Sequence, residues 1–533
     1  MNKFCEKMNI TNFEWKNKCN KNIIYVNQQN TNKNQNGLSW CTAFVDLQSA
    51  LNKAALNQDI TKIYVAAGTY IPSIPYSPNG KAGGAVNTTD PLILFGLTTF
   101  NIPDNTHIYG GYNGTEQDLC KRDYIKNKTI LSGAAVYYHV ITLGNDVAPQ
   151  GVQNVKLDGL TITQGNAQGP IFSPTGTLFD EFQYAHNYGG GLYVTFESEV
   201  IVKNCLFINN NANGIGGAVF SINSNTSLIK CKFDCNRSNQ QAGAVGIYNT
   251  YEQEPHFGKI LACIFKNNTT VTFGGAIVVE GTIPNNKTLC KIIASEFYEN
   301  YGQEGGAIVV DSLTVDIDKC LFKNNNSAIN AGAVSTTNVV NTLASAAKSL
   351  PLVKFTTTIT NSLFDKNVNQ GNLALHNSLL GGPSGPFAID FPLGGGALVN
   401  YINGLLEVYN CIFNDNITYD SNGGAILNGK SAIAQPPAFE VRTIIKCCKF
   451  NRNKAIRGNG GAIASLPSTY PFVPPLNITD QDTFIVVKNS EFNDNEATFR
   501  KDNIYVNNSV AIIKDNCYET DSNDNVYNNN NNL

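Results

Sequence analysis

Short stretches of alternating apolar and polar residues recur from residue 23 almost to the C-terminus. Ile23-Ile24-Tyr25-Val26 predicts a strand, and Ile63-Tyr64-Val65-Ala66-Ala67-Gly68-Thr69-Tyr70 a longer one. Further strand patterns lie at Thr98-Thr99-Phe100, His107-Ile108-Tyr109-Gly110-Gly111-Tyr112, Thr129-Ile130-Leu131 and Val155 through Ile162. In extended chain, residues i and i+2 point to one side, so each run offers one apolar face. A helical stripe stands out once, at Leu47, Ala50, Leu51, Ala54 and Ala55 with Asp46 as N-cap, predicting a capping helix at about 43–57.

From residue 205 the pattern becomes a repeat, Cys/Ser-x-Phe-x-x-Asn. It occurs nine times, with phenylalanine at 207, 233, 265, 297, 322, 364, 413, 450 and 492. Most copies are followed by Gly-Ala and an aliphatic residue, as in Gly217-Ala218-Val219, Gly275-Ala276-Ile277 and Gly461-Ala462-Ile463. Successive phenylalanines are 26, 32, 32, 25, 42, 49, 37 and 42 residues apart. Short strands, no helical period within the repeats and a rung-sized spacing predict an all-β fold: a single right-handed parallel β-helix, a pectin-lyase-like solenoid. In such a coil, Phe stacks on Phe, Cys and Ser fill a column of small residues, and the asparagines bond to one another up and down the axis. The asparagine is expected to bend the chain, and the glycine to permit positive φ or close packing.

The predicted organisation is a polar arm at 1–22, the coil at 23–517 and a disordered Asn-rich tail at 518–533. Variable spacing falls in loop inserts at about 71–91, 336–356 and 371–393.

The 533 residues are 42% hydrophobic and 15% charged, with a formal net charge of −3, and no Lys/Arg run marks a nucleic-acid surface. No run of 18 apolar residues suggests a membrane span, and the first residues lack the apolar core of a secretory signal. Six of the 14 cysteines stand two before a repeat phenylalanine. They are read as buried thiols, with inter-rung disulfides the alternative in an oxidising setting.

The Phe-x-x-Asn and Gly-Gly-Ala-Ile signatures resemble the repeats of chlamydial-type polymorphic outer membrane proteins. The segments Ile24-Tyr25-Val26-Asn27, Gly37-Leu38-Ser39-Trp40, Ile63 through Tyr70 and Tyr109-Gly110-Gly111-Tyr112-Asn113-Gly114 are similar to the start of many bacterial right-handed β-helix surface proteins. These resemblances imply surface display or adhesion. Joined to the Asn-rich composition and the missing export signal, they lead to a virion or other surface particle as the expected location.

The pectin-degrading enzymes share this fold, and the hydrolases among them need clustered carboxylates. There is no Asp-Asp, Asn-Thr-Asp, Gly-His-Gly or Arg-Ile-Lys sequence. The best acidic pair is Glu280 and Asp311, at the same offset after Gly-Gly-Ala and therefore on neighbouring rungs, where solvated corner residues are the simpler reading. Gly424-Ala425-Ile426-Leu427-Asn428-Gly429-Lys430-Ser431 matches the P-loop pattern but belongs to the repeat and opens no helix. Histidines 107, 139, 186, 256 and 376 show no ligand spacing, and Cys231/Cys235 and Cys447/Cys448 lack the second pair a zinc site needs. Trp15 and Trp40 draw no sugar groove, whereas Tyr401, Tyr419 and Tyr470 are candidates for glycan contact from loops.

No catalytic, cofactor-binding or metal-binding residue is assigned. The expected function is a non-enzymatic structural or adhesive surface protein binding glycans or partner proteins, with no nucleic acid, and homo-oligomers compatible with it. A polysaccharide lyase or glycoside hydrolase is the alternative.

Overall fold

The computed structural model describes residues 22–73, 91–116, 119–143, 151–169, 186–195, 197–250, 256–281, 289–338, 355–371, 394–401, 404–430, 441–467, 483–499, 503–507, 509–519 and 525–528. Its strands form four parallel sheets of 14, 13, 10 and 13 strands, which the chain visits in a fixed order, the 10-stranded sheet taking part only from Asn166–Ala167 to Glu496–Ala497. The turn at residues 199–222 is representative. Glu199–Lys203 belongs to the lead-in sheet, Leu206–Ile208 to the phenylalanine sheet, Asn211–Ala212 to a short corner sheet, and Val219–Ile222 to the glycine–alanine sheet. Asn225–Ile229 then pairs beside Glu199–Lys203 and the cycle repeats.

Alternation sets the interior. Val200, Val202 and Phe207 point inward with Val219 and join one core cluster that runs from Ile24 to Val506. The expected columns are present. Phe207 to Phe492 stack in order, for example Phe233 on Phe265 at 4.6 Å and Phe322 on Phe364 at 4.7 Å, with interplanar angles of 4° and 3°. Each repeat asparagine donates from Nδ2 to Oδ1 of the next, as in Asn236 to Asn268 at 3.0 Å and Asn300 to Asn325 at 2.9 Å. The same Nδ2 also reaches a phenylalanine carbonyl on the preceding turn, Asn268 to Phe233 at 3.0 Å. The column thiols are buried and unbridged, and Cys263 Sγ donates to the Leu228 carbonyl at 3.3 Å.

The bends are made one residue earlier than expected. The residue before each asparagine is left-handed (Asn209, Cys235 and Asn267 at φ 54), as is the one before each column Cys or Ser (Asn204 at φ 51, Lys230 at φ 51, Ala262 at φ 53). The asparagine is thereby left free to point inward and bond along the axis. The two glycines of Gly-Gly-Ala likewise divide the work. Gly274 holds φ 67, while a Cβ on Gly275 would stand 2.1 Å from the Gly306 carbonyl oxygen.

Leu47–Leu56 is helical, capped by Asp46 accepting from the Ser49 amide at 2.7 Å, and its buried Leu47, Ala50, Leu51 and Ala54 join the first-turn end of the core. The C-terminal boundary placed at 517 is corrected. Tyr518 stacks on Phe492 at 5.3 Å, and Val526–Asn528 pairs with Ile504–Val506. The insert placed at 336–356 is shorter at both ends, because Val334–Thr337 and Thr356–Thr360 are strands. The arm at 1–21 and the inserts at 74–90, 339–354 and 372–393 lie outside the described residues. Among the described residues no helix is long and apolar enough to cross a membrane.

Candidate functional site: acidic residues on the glycine–alanine sheet

The glycine–alanine sheet is buried on both faces. Inward, Val245 and Ile277 belong to the main core; outward, Phe220, Val278 and Val309 form a second cluster with Tyr188 and Tyr248, and Val399 and Leu427 a third with Tyr401. Between these two apolar clusters stand the acids. Tyr248, Glu280, Asp311 and Thr337 occupy one outward column as successive register partners in the strands Val245–Asn249, Ile277–Gly281, Ile308–Asp311 and Val334–Thr337. Partners in parallel strands lie roughly 4.8 Å apart.

A third carboxylate arrives from the corner sheet. The strand Tyr301–Glu304 shifts register between Gly302 and Glu304, and Glu304 is 7% exposed. Its Oε1 accepts from the Ser335 hydroxyl at 2.7 Å and from the Tyr401 hydroxyl. Asp311 Oδ1 accepts from Ser312 Oγ at 2.7 Å and Thr337 Oγ1 at 2.9 Å. The Tyr248 hydroxyl donates to Gln241 Oε1.

Burial dominates the electrostatics. It raises the Glu280 carboxyl to about 8, with the Asp311 charge adding to the rise and the neighbouring Tyr248 hydroxyl opposing it. Burial raises Glu304 to about 7, opposed by the bonds from Tyr401 and Ser335. The Tyr248 and Tyr401 phenols are pushed well up, first by burial and then by Glu280 and Glu304 respectively. At neutral pH Glu280 therefore mostly keeps its proton, while Glu304 stands near the middle of its titration. A protonated carboxyl both donates to and accepts from hydroxyls, and an acid held protonated beside a second carboxylate has the makings of a proton donor.

The sequence places Glu280 and Asp311 on neighbouring rungs, and they are register partners there, each half-buried rather than fully solvated. Glu304 was missed because it comes from another sheet, although it stands at a fixed offset, immediately before Gly305-Gly306-Ala307 as Phe273 stands before Gly274-Gly275-Ala276. Tyr401, expected in a surface loop, is buried at 5% exposure against Glu304; Tyr419 ends the strand Ile417–Tyr419, and Tyr470 lies outside the described residues. The P-loop-like segment is the strand Ile426–Lys430.

Two histidines without ligand spacing do meet. His139 Nε2 and His186 Nδ1 are 3.2 Å apart, and burial lowers His139 to about 4. His107 lies in a strand 3.2 Å from Asn154 Oδ1, and His376 lies outside the described residues. Cys231 and Cys448 are buried, while Cys235 and Cys447 are exposed at bends. Among the described residues no group of three or more His, Cys, Asp or Glu side chains is arranged to hold a metal ion.

Residues 147–289 match the family model described as right handed beta helix region. The all-parallel ladders and this match define the class: the protein is an all-β right-handed parallel β-helix. No curated protein matches the chain. Among solved structures it is similar to the Azotobacter vinelandii mannuronan C-5 epimerase AlgE6 A-module, at 10% identity and TM-score 0.38 over 89% of this chain and 95% of that one. It is also similar to the tailspike protein of E. coli bacteriophage HK620 in complex with pentasaccharide, at 11% identity and TM-score 0.32 over 88% of this chain and 74% of that one.

Proposed function

We propose that the protein is a non-enzymatic glycan-binding surface protein of a virion or other particle, a long coil that meets saccharides at the half-buried Glu280 and Asp311 of its glycine–alanine sheet. The observation that carries this reading is the convergence of Glu280, Asp311 and Glu304 with Tyr248 and Tyr401 between two apolar clusters. A few polar groups converging in an apolar surround are what orient a small ligand. The likeness of the repeats to those of chlamydial-type polymorphic outer membrane proteins supports surface display.

One observation favours a second reading, polysaccharide cleavage. A carboxyl raised to about 8 at Glu280 beside Asp311 is the kind of pairing that supplies an acid and a base to a glycosidic bond. A glycan array run beside product assays on pectin, alginate and heparin separates the two. Array binding that Glu280→Gln weakens, without product, supports the first reading. Product formation abolished by Glu280→Gln and Asp311→Asn replaces it with the second, and neither binding nor product overturns both.

A further inference from the structure

The outer face of the lead-in sheet carries a different constellation near its N-terminal end. Across the strands Ile23–Val26, Lys62–Ala66, His107–Tyr112 and Val155–Asp158, the side chains pointing away from the core fall into two columns. One is aromatic. Tyr25, Tyr64 and Tyr109 are successive register partners, with ring centroids 5.9 and 5.6 Å apart. Trp40 adds its ring 4.8 Å from Tyr25, and Tyr112 lies 5.5 Å from Trp40 and 5.0 Å from Tyr64.

The second column is basic. Lys62, His107 and Lys156 are register partners in turn, two residues before Tyr64, Tyr109 and Asp158. Strict alternation produces both columns, because Ile63, Val65, Ile108 and Leu157 between them are fully buried in the core.

Three features mark this as more than outer packing. Tyr25, Trp40, Tyr64, Tyr109, Lys62, His107 and Lys156 all keep part of their surface exposed. The Trp40 indole N–H is shielded from solvent and has no hydrogen-bond partner. The nearby acids are already engaged: Asp158 is 2.5 Å from Arg122 and 3.3 Å from Lys156, and Glu116 accepts from the Gly114 amide at 3.0 Å. Among the described residues Lys62 forms no ion pair, and Arg122 and Lys156 share the single carboxylate of Asp158, so the face is left with surplus positive charge.

We propose that this face is a binding platform for an anionic polysaccharide, with sugar rings against Tyr25 and Tyr64 and a carboxylate or sulfate group on Lys62, while Arg122 and Lys156, seated over the Tyr109 ring, add positive charge at its edge. A sugar's C–H face is slightly positive and suits the negative face of an aromatic ring. Both columns run across the strands, so the polymer lies along the coil axis, with the aromatic column on one side of it and the basic column on the other. The platform is separate from the Glu280 site and does not rest on it.

The test uses the full chain in a Trp15→Phe background, so that Trp40 is the sole fluorescent tryptophan. Polygalacturonate should shift Trp40 emission saturably, and its fully methyl-esterified form, with the same rings and no charge, should bind about tenfold or more weakly. Lys62→Glu and Tyr64→Ala should each weaken polygalacturonate binding by about tenfold or more. Tyr64→Phe, which keeps the ring, should retain it and control for folding. Glu280→Gln should leave it unchanged, which separates this site from the acidic one. No emission change, equal response to the methyl ester, or indifference to Lys62→Glu and Tyr64→Ala would each overturn the proposal.

Discussion

Glu280 and Asp311 face each other as register partners on adjacent parallel strands, two carboxyl groups one strand apart and half-buried on the outer side of the sheet. Neither burial nor proximity favours ionising both. This pair lies at the junction of what the fold needs and what it has to spare.

The first prediction concerns pH. Folding raises Glu280 from 4.5 to about 8 and Glu304 from 4.5 to about 7. Between those values the native chain holds protons that the unfolded chain has released, so stability falls as pH rises through the window. Each tenfold difference in proton affinity between the two states is worth about 1.4 kcal/mol. Glu280→Gln should therefore be near neutral at pH 4.5 and stabilising by roughly 2 kcal/mol or more at pH 8.5. Urea unfolding of both proteins at the two pH values checks it; an effect independent of pH would mean that the acid is not enclosed.

A second prediction addresses the amide ladder. Asn300 Oδ1 accepts from the backbone N and the Nδ2 of Asn268, and its own Nδ2 donates to Phe265 O and Asn325 Oδ1. Asn300→Ala strands several buried groups, each costing about 1–3 kcal/mol. A loss of roughly 3 kcal/mol or more is expected in urea titration, with a smaller loss for Asn495→Ala at the half-buried end of the ladder.

Two alanines occupy a position that most other turns fill with glycine. Ala242 and Ala331 hold φ 56 and φ 52, where Gly274, Gly305 and Gly395 hold φ 67, 59 and 69. Left-handed backbone costs an L-residue roughly 1–2 kcal/mol, partly offset by the unfolded-state entropy of glycine. Ala242→Gly should therefore be neutral to stabilising by up to about 1 kcal/mol. Gly275→Ala should prevent soluble folding, since its Cβ would stand 2.1 Å from a backbone oxygen of the next turn. Thermal melts and soluble yield distinguish the pair.

Thiol reactivity supplies a fourth. Cys120, Cys235, Cys447 and Cys517 are exposed, whereas Cys205, Cys231, Cys263, Cys320, Cys411 and Cys448 are buried in the column. Burial also pushes Cys320 up to about 12, so little thiolate forms there. An aromatic disulfide reagent should modify the first four rapidly and the column only on unfolding, as mass spectrometry of labelled peptides would show.

The parts of this molecule that could be read in advance repeat at fixed offsets. Phe207 through Phe492, the asparagines behind them and the Glu280–Asp311 pair all followed from counting along the motif, because a parallel coil turns equal offset into spatial adjacency. What could not be read joins different offsets or different sheets. Glu304 and Tyr401 are 97 positions apart and share no motif position. The His139–His186 contact and the Trp40–Tyr112 contact join segments with no common pattern. The last turn is disguised in a subtler way. Asn516-Cys517-Tyr518 is a copy in which asparagine replaces the small residue and tyrosine the phenylalanine. Asn516 Oδ1 accepts from the Ser490 amide at 2.9 Å, in the role that Ser490 Oγ plays for Cys448 at 3.2 Å.

The uninterrupted pile of phenylalanine rings has a consequence for how such a molecule changes size. Neighbouring turns meet through nearly the same spacing, from 4.6 to 4.9 Å between Phe207 and Phe492, whatever length of chain lies between them. Duplicating or losing one whole copy of the motif would thus alter reach by a single quantum and leave each surviving junction intact. The protein behaves as a graduated ruler, with overall extent and surface chemistry free to vary independently.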